Sequence, residues 1–159
     1  MLEPPGPHFL NVDLDILGNG ELAALGEALE HRSVVLFAGR AGRKFRVSIE
    51  TGRTYLSPES TIWGLLRLMA SLPLPLQTIW ARAHSRTFSI GYSAGSELEE
   101  YHQTKPNSGV WKRKGPLLAQ HQAIFSPRLL RALADVDARI ETIIYPASRQ
   151  VSPRRRRDR

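Results

Sequence analysis

Two aspartates, Asp13 and Asp15, stand two residues apart in the segment FLNVDLDI, residues 9–16. In an extended strand this spacing puts both carboxylates on one face, about 7 Å apart. Such a pair can hold a divalent cation through oxygen ligands, or divide into a general acid and a general base. A strand that alternates apolar and polar residues also requires polar groups on its wet side, with Lys44 or Arg46 of a neighbouring strand as natural partners. The second reading needs nothing beyond the alternation and is the one expected.

The other reactive residue types form no catalytic pattern. The histidines, His8, His31, His84, His102 and His121, include no one-turn helical pair or other metal-ligand spacing. No serine lies in a Gly-x-Ser-x-Gly elbow. The absence of cysteine excludes a thiol nucleophile, a thiolate zinc site and a disulfide scaffold. Gly39-Arg40-Ala41-Gly42-Arg43-Lys44 has the glycines and cations of a phosphate loop but not its Gly-Lys-Ser/Thr ending, and a basic hairpin tip is the simpler reading. The expectation is a protein without catalytic residues, metal or cofactor.

Two basic segments suit polyanions. Trp111-Lys112-Arg113-Lys114 sets an aromatic ring beside three cations, which can stack on a base while neutralising phosphates, or can staple a long loop to the body. The tail Pro153-Arg154-Arg155-Arg156-Arg157-Asp158-Arg159 can bury nothing, and it serves either as a non-specific polyanion binder or as a solubilising terminus. Of 22 lysines and arginines and 15 aspartates and glutamates, residues 149–159 hold six and one, which leaves 16 and 14 for the rest. The body is nearly neutral, so the high isoelectric point belongs to the tail.

The elements that must carry these groups follow from hydropathy. Phe9–Ile16 reads as a half-buried strand with Leu10, Val12, Leu14 and Ile16 on one face. Asn19 caps a short helix from Gly20 to about Glu30. Ser33–Ala38 is continuously apolar, as a central strand covered on at least part of both faces would be. Gly39–Arg43 is a loop of hairpin length, and Lys44–Glu50 alternates with Phe45, Val47 and Ile49 inward and Ser48 outward. Ser57-Pro58-Glu59 starts a helix whose Ile62, Leu65, Leu66, Met69 and Leu72 share a face; Pro73 and Pro75 break it before a second helix from Leu76 to about Ala83.

Arg86–Ser93 is a further strand and Ala94–Pro116 a long surface loop or a floppy hairpin; Leu117–Phe125 is open to helix or strand, and the second Ser-Pro start at Ser126 favours a strand over Gln120–Phe125. Leu129, Leu130, Leu133, Val136 and Ile140 continue at helical spacing, and Thr142–Tyr145 closes as a strand.

The chain is long enough for one core without staples. The expected fold is α+β: a mostly antiparallel sheet with helices on one face, a ferredoxin-like βαββαβ core over residues 9–93, and a third βαβ unit over 120–145. Residues 1–8 form a disordered arm, 9–146 one domain with its loop at 94–116, and 147–159 a disordered Arg-rich tail. No apolar run approaches the roughly twenty residues that span a bilayer, and MLEPPGPHF lacks the features of a secretion signal, so a cytoplasmic protein without membrane association is expected.

FLNVDLDI, VVLFAG, the two Ser-Pro helix starts and the closing TIIYPA resemble small bacterial α+β proteins of a domain family of unknown function, over most of residues 9–146. Some such proteins are suspected immunity proteins of contact-dependent toxin systems. The resemblance implies a domain that acts by binding another protein, as an immunity or accessory factor, and it assigns no functional residue. One departure is that inhibitors of nucleic-acid-cutting toxins are expected to be acidic. The alternative is a nucleic-acid-associated accessory protein that uses the Trp111–Lys114 segment and the tail.

Overall fold

A computed structural model describes residues 8–53, 55, 57–93, 101–103, 111–113 and 124–145. Alternation makes the first strand, β1 (His8–Gly18), with Val12, Leu14 and Ile16 fully buried and Asn11, Asp13 and Asp15 half-buried on the opposite side. Asn19 accepts from the Glu21 amide at 3.0 Å and so occupies one orphan donor at the start of helix α1 (Leu22–Leu29), which turns Leu22, Leu25 and Leu29 inward.

Strands β2 (Val34–Ala41) and β3 (Lys44–Glu50) form the expected hairpin, but its loop is narrower than residues 39–43. Ala41 already faces Lys44, which leaves only Gly42 and Arg43 to turn. Gly42 has φ 63 and Arg43 does not enter the positive region, the pattern of a II′ turn with glycine first.

Helix α2 (Pro58–Ala70) begins at Pro58, with the Ser57 hydroxyl accepting from the Ser60 amide at 3.2 Å. Helix α3 (Leu74–Ala81) starts two residues earlier than Leu76, because Pro73 caps it and Pro75 falls in its first turn, where a missing N–H leaves no bond unmade. Strand β4 (Ser85–Ser93) follows. Short strands β5 (Tyr101–Gln103) and β6 (Trp111–Arg113) pair antiparallel with each other, in keeping with the hairpin alternative for Ala94–Pro116.

Helix α4 (Pro127–Asp135) starts at the second Ser-Pro, with Ser126 accepting from the Leu129 amide at 3.2 Å. It ends earlier than the helical spacing suggests. Asp137 adopts φ 48, which stops the helix, and strand β7 (Ala138–Tyr145) begins four residues before Thr142, so Ile140 belongs to a strand.

The main sheet runs β2-β3-β1-β4-β7, antiparallel throughout except for the parallel pair β4·β7. A parallel pair requires a crossover, and here the chain between β4 and β7 includes α4. Residues 124–126 carry no strand, and 117–123, where most of the strand expected at 120–125 would fall, lie outside the described residues; among the described residues β7 pairs with β4.

The inward residues of β1, β3 and β4 join those of the four described helices in a single core that includes Leu25, Ile62, Leu65, Trp80, Phe88, Ile90 and Leu129. These helices therefore cover the same face of the sheet. The expectation for β2 is overturned: it is an edge strand, with Val34, Leu36 and Phe37 exposed by 42%, 48% and 43%. Among the described residues no helix is long and apolar enough to cross a membrane. Residues 1–7, most of 94–116 and the Arg-rich tail lie outside them.

Candidate functional site

Register decides which side chains share the face of the sheet opposite the helices. Asp13 lies across from Glu50 of β3 and Ser89 of β4, and Asp15 from Ser48 and Thr87. Glu141 of β7 lies across from Ser89 and Val34 of β2 from Glu50, so among the described residues four carboxylates occupy this face on three strands.

The two aspartates have different surroundings. Asp15 accepts from Nε and Nη2 of Arg46 at 2.9 and 2.6 Å, the ion pair that a wet strand face predicts. The same guanidinium stands 5.9 Å from the centre of the Phe37 ring. Asp13 makes no ion pair among the described residues. Its partner is Asn11, whose side-chain amide donates at 2.9 Å both to Asp13 and to Glu50. One neutral amide thus bridges two carboxylates.

Partial burial, followed by the charges of Glu50 and Asp15, raises the Asp13 carboxyl from 3.8 to about 6, against a smaller opposing pull from Arg46. Asn11 is held close by the glycine opposite it: a Cβ on Gly91 would come within 2.7 Å of the Asn11 Oδ1.

The rest of the face is low and polar. Ser48 and Ser89 are only 5% and 4% exposed, Ser48 beside Phe37 in the register and Ser89 donating to Glu141 at 2.5 Å. Ser48 thus lies on the outward face that alternation predicts, but its neighbours bury it there. Val34 and Phe37 on one flank and Ile143 on the other place exposed apolar groups around the acidic centre. At the end of β3 the face runs into a cavity of about 270 Å³ lined by Leu10, Asn11, Val34, Glu50, Arg53 and Tyr55 among others.

Asp13, with Asn11 and Glu50, can accept a cationic group and give up a proton as it does so. No group of three or more histidines, aspartates and glutamates among the described residues is placed to hold a metal ion.

Of the other residues singled out in the sequence, Trp111, Lys112 and Arg113 form β6, opposite Gln103, His102 and Tyr101. Lys114 and Arg154, Arg155, Arg156 and Arg157 lie outside the described residues. Asn11, Glu50 and Glu141 belong to the site and were missed by spacing alone. Their alternation marks them as polar positions, but the pairing that brings them to Asp13 is a matter of register between distant strands. No protein-family model matches the chain, and neither a curated protein nor a solved structure does.

Proposed function

We propose that this protein works by binding another protein through the sheet face that the helices leave uncovered, as an immunity or accessory factor of the kind its sequence resembles. The observation that carries this reading is the group of Asp13, Glu50 and Asn11, where two carboxylates share one neutral amide and lack the cation that Asp15 has. An arginine or lysine from a partner supplies the missing charge, and Val34, Phe37 and Ile143 provide the surrounding apolar contact. Although the body is nearly neutral, this face carries four carboxylates, Asp13, Asp15, Glu50 and Glu141, so a local acidic surface is present without an acidic chain overall. In the same reading, β1–β4 with α1–α3 constitute a ferredoxin-like core, and α4 with β7 extend it.

The test is a pull-down with the full chain, its Asp13→Lys and Glu50→Lys variants, and a chain that ends at Ser148 and so lacks residues 149–159. Loss of the captured protein with both lysine variants and its retention without the tail support the reading. Capture that ignores the lysine variants, or that depends on the tail alone, overturns it. The second reading, nucleic-acid association through the Trp111–Lys114 segment and the tail, is favoured by the segregation of positive charge into residues 149–159. It requires salt-sensitive binding that falls with the tail deletion and again with Trp111→Ala.

A further inference from the structure

On the helical side of the β3–α2 connection lies a second cavity, of about 410 Å³. Three arginines line it: Arg32, which follows α1; Arg53, in the connection itself; and Arg67, on α2. Gly64, Arg67, Leu68 and Ser71 recur at three- and four-residue steps, so one stripe of α2 forms a wall. Among the described residues no aspartate or glutamate lines the cavity. None of the three guanidinium groups has an ion-pair partner there either; the single ion pair among these residues is Arg46 with Asp15.

Two details show that the pocket is shaped by its sequence. Gly64 has no side chain where Tyr55 passes: a Cβ would lie 2.5 Å from the Tyr55 hydroxyl and 2.7 Å from its ring carbon Cζ. The ring therefore lies against α2, with its hydroxyl near the helix surface. The Thr51 hydroxyl donates to the Arg53 carbonyl at 2.7 Å, which folds the connection into a tight turn and holds Arg53 at the rim.

Three arginines around a concave space, with no carboxylate among the described lining residues, favour an anion there. Each offers a planar fork of donors that matches phosphate oxygens two at a time. The cavity has the size of a small-molecule site, and the Tyr55 ring and Leu68 give it an apolar wall beside the cations.

We propose that this cavity binds a small phosphorylated organic molecule of mononucleotide size, with Arg32, Arg53 and Arg67 taking the phosphate and Tyr55 and Leu68 facing the organic part. The site adjoins the cavity at the end of the acidic face, with which it shares Arg53 and Tyr55, whereas Arg32, Arg67 and Leu68 line this cavity and not that one.

The test is calorimetric titration of the full chain with adenosine monophosphate, inorganic pyrophosphate and a single-stranded oligonucleotide, all at one ionic strength. Saturable binding of adenosine monophosphate or pyrophosphate that weakens at least about tenfold in Arg67→Gln and in Arg32→Gln supports the site. Both arginines are exposed, so neither change disturbs the core, and circular dichroism verifies the fold. In Gly64→Ala the added methyl displaces Tyr55, and the nucleotide should lose more affinity than pyrophosphate does. Binding unchanged in the two glutamine variants assigns the effect to the arginine tail and overturns the proposal. So does an oligonucleotide that binds through Arg32 and Arg67 more tightly than either small molecule, or the absence of saturable binding.

Discussion

Asp13 and Asp15 are equivalent in the sequence and unequal in the fold. Their common face follows from the two-residue strand period, and the Arg46 partner of Asp15 follows from the same alternation in β3. What alternation cannot supply is which residue of β3 falls opposite which residue of β1, and that register sets Glu50 against Asp13. Asp13 should therefore mark its position through pH. Its carboxyl is raised from 3.8 to about 6, so the folded chain holds that proton more tightly than the unfolded chain does. The resulting stabilisation is complete below the unfolded value and is lost as pH rises through about 6. Asp13→Asn, which cannot ionise, should gain stability relative to the native chain by about 1 kcal/mol between about pH 3.5 and about pH 7.5, once solvent screening of this half-buried group is allowed for. Urea unfolding at the two pH values measures it; a stability difference independent of pH would show that Asp13 is not crowded.

At the scale of elements, the two Ser-Pro starts do more than begin helices. Glu59, in the first turn of α2, accepts from the Ser126 hydroxyl at 2.5 Å and from the Ser126 amide at 2.9 Å, while the Ser126 oxygen accepts from Leu129. These bonds hold the Glu59 carboxyl below the usual carboxylate range. Arg128 rests 5.3 Å from the Trp63 ring on the same junction, so two helix starts far apart in the chain are fastened together. The repeated dipeptide was legible as two helix starts; that a carboxylate in one start would cap the other was not, since nothing local encodes their proximity. Ser126→Ala removes a cap and this link together and should cost about 1–2 kcal/mol, read as a lower urea midpoint with an unchanged m-value.

Arg86 plays a similar part at the other end of α3. It is buried, donates to the Trp80 carbonyl at 3.1 and 2.6 Å and to the Ala81 carbonyl at 2.7 Å, and lies 5.0 Å from the Trp80 ring. Burial lowers its affinity for its proton, and Asp137 opposes that effect. A charged residue at an inward strand position contradicts the usual alternation, and the helix carbonyls that justify it become visible only in the fold. Arg86→Met keeps the stem but strands these carbonyls; a loss of about 2–3 kcal/mol and a shift in Trp80 fluorescence are expected.

For the whole molecule, the α+β class and the covering of one sheet face by helices were readable from periodicity, because each amphipathic element has only one side to bury. The place of each strand was not. Ser33–Ala38 has the apolar run of a central strand, yet β2 lies at the edge with Val34, Leu36 and Phe37 exposed. Hydropathy records how apolar a strand is and not what covers it. An apolar edge with free backbone groups invites pairing with another chain. Leu36→Lys should raise the concentration at which light scattering appears, with less than about 0.5 kcal/mol change in stability. A large loss of stability would mean that Leu36 is packed after all.

The strand order also bears on how the chain reaches this state during synthesis. β1, the first strand of the main sheet to leave the ribosome, becomes its middle, and both of its neighbours, β3 and β4, are made later. It must stay unpaired until Lys44–Glu50 emerges, and its second side waits until Ser85–Ser93 does. A nascent chain stalled between those points exposes Val12, Leu14 and Ile16 without their final cover, so the interval from β1 to β4 leaves the central apolar strand open to wrong partners.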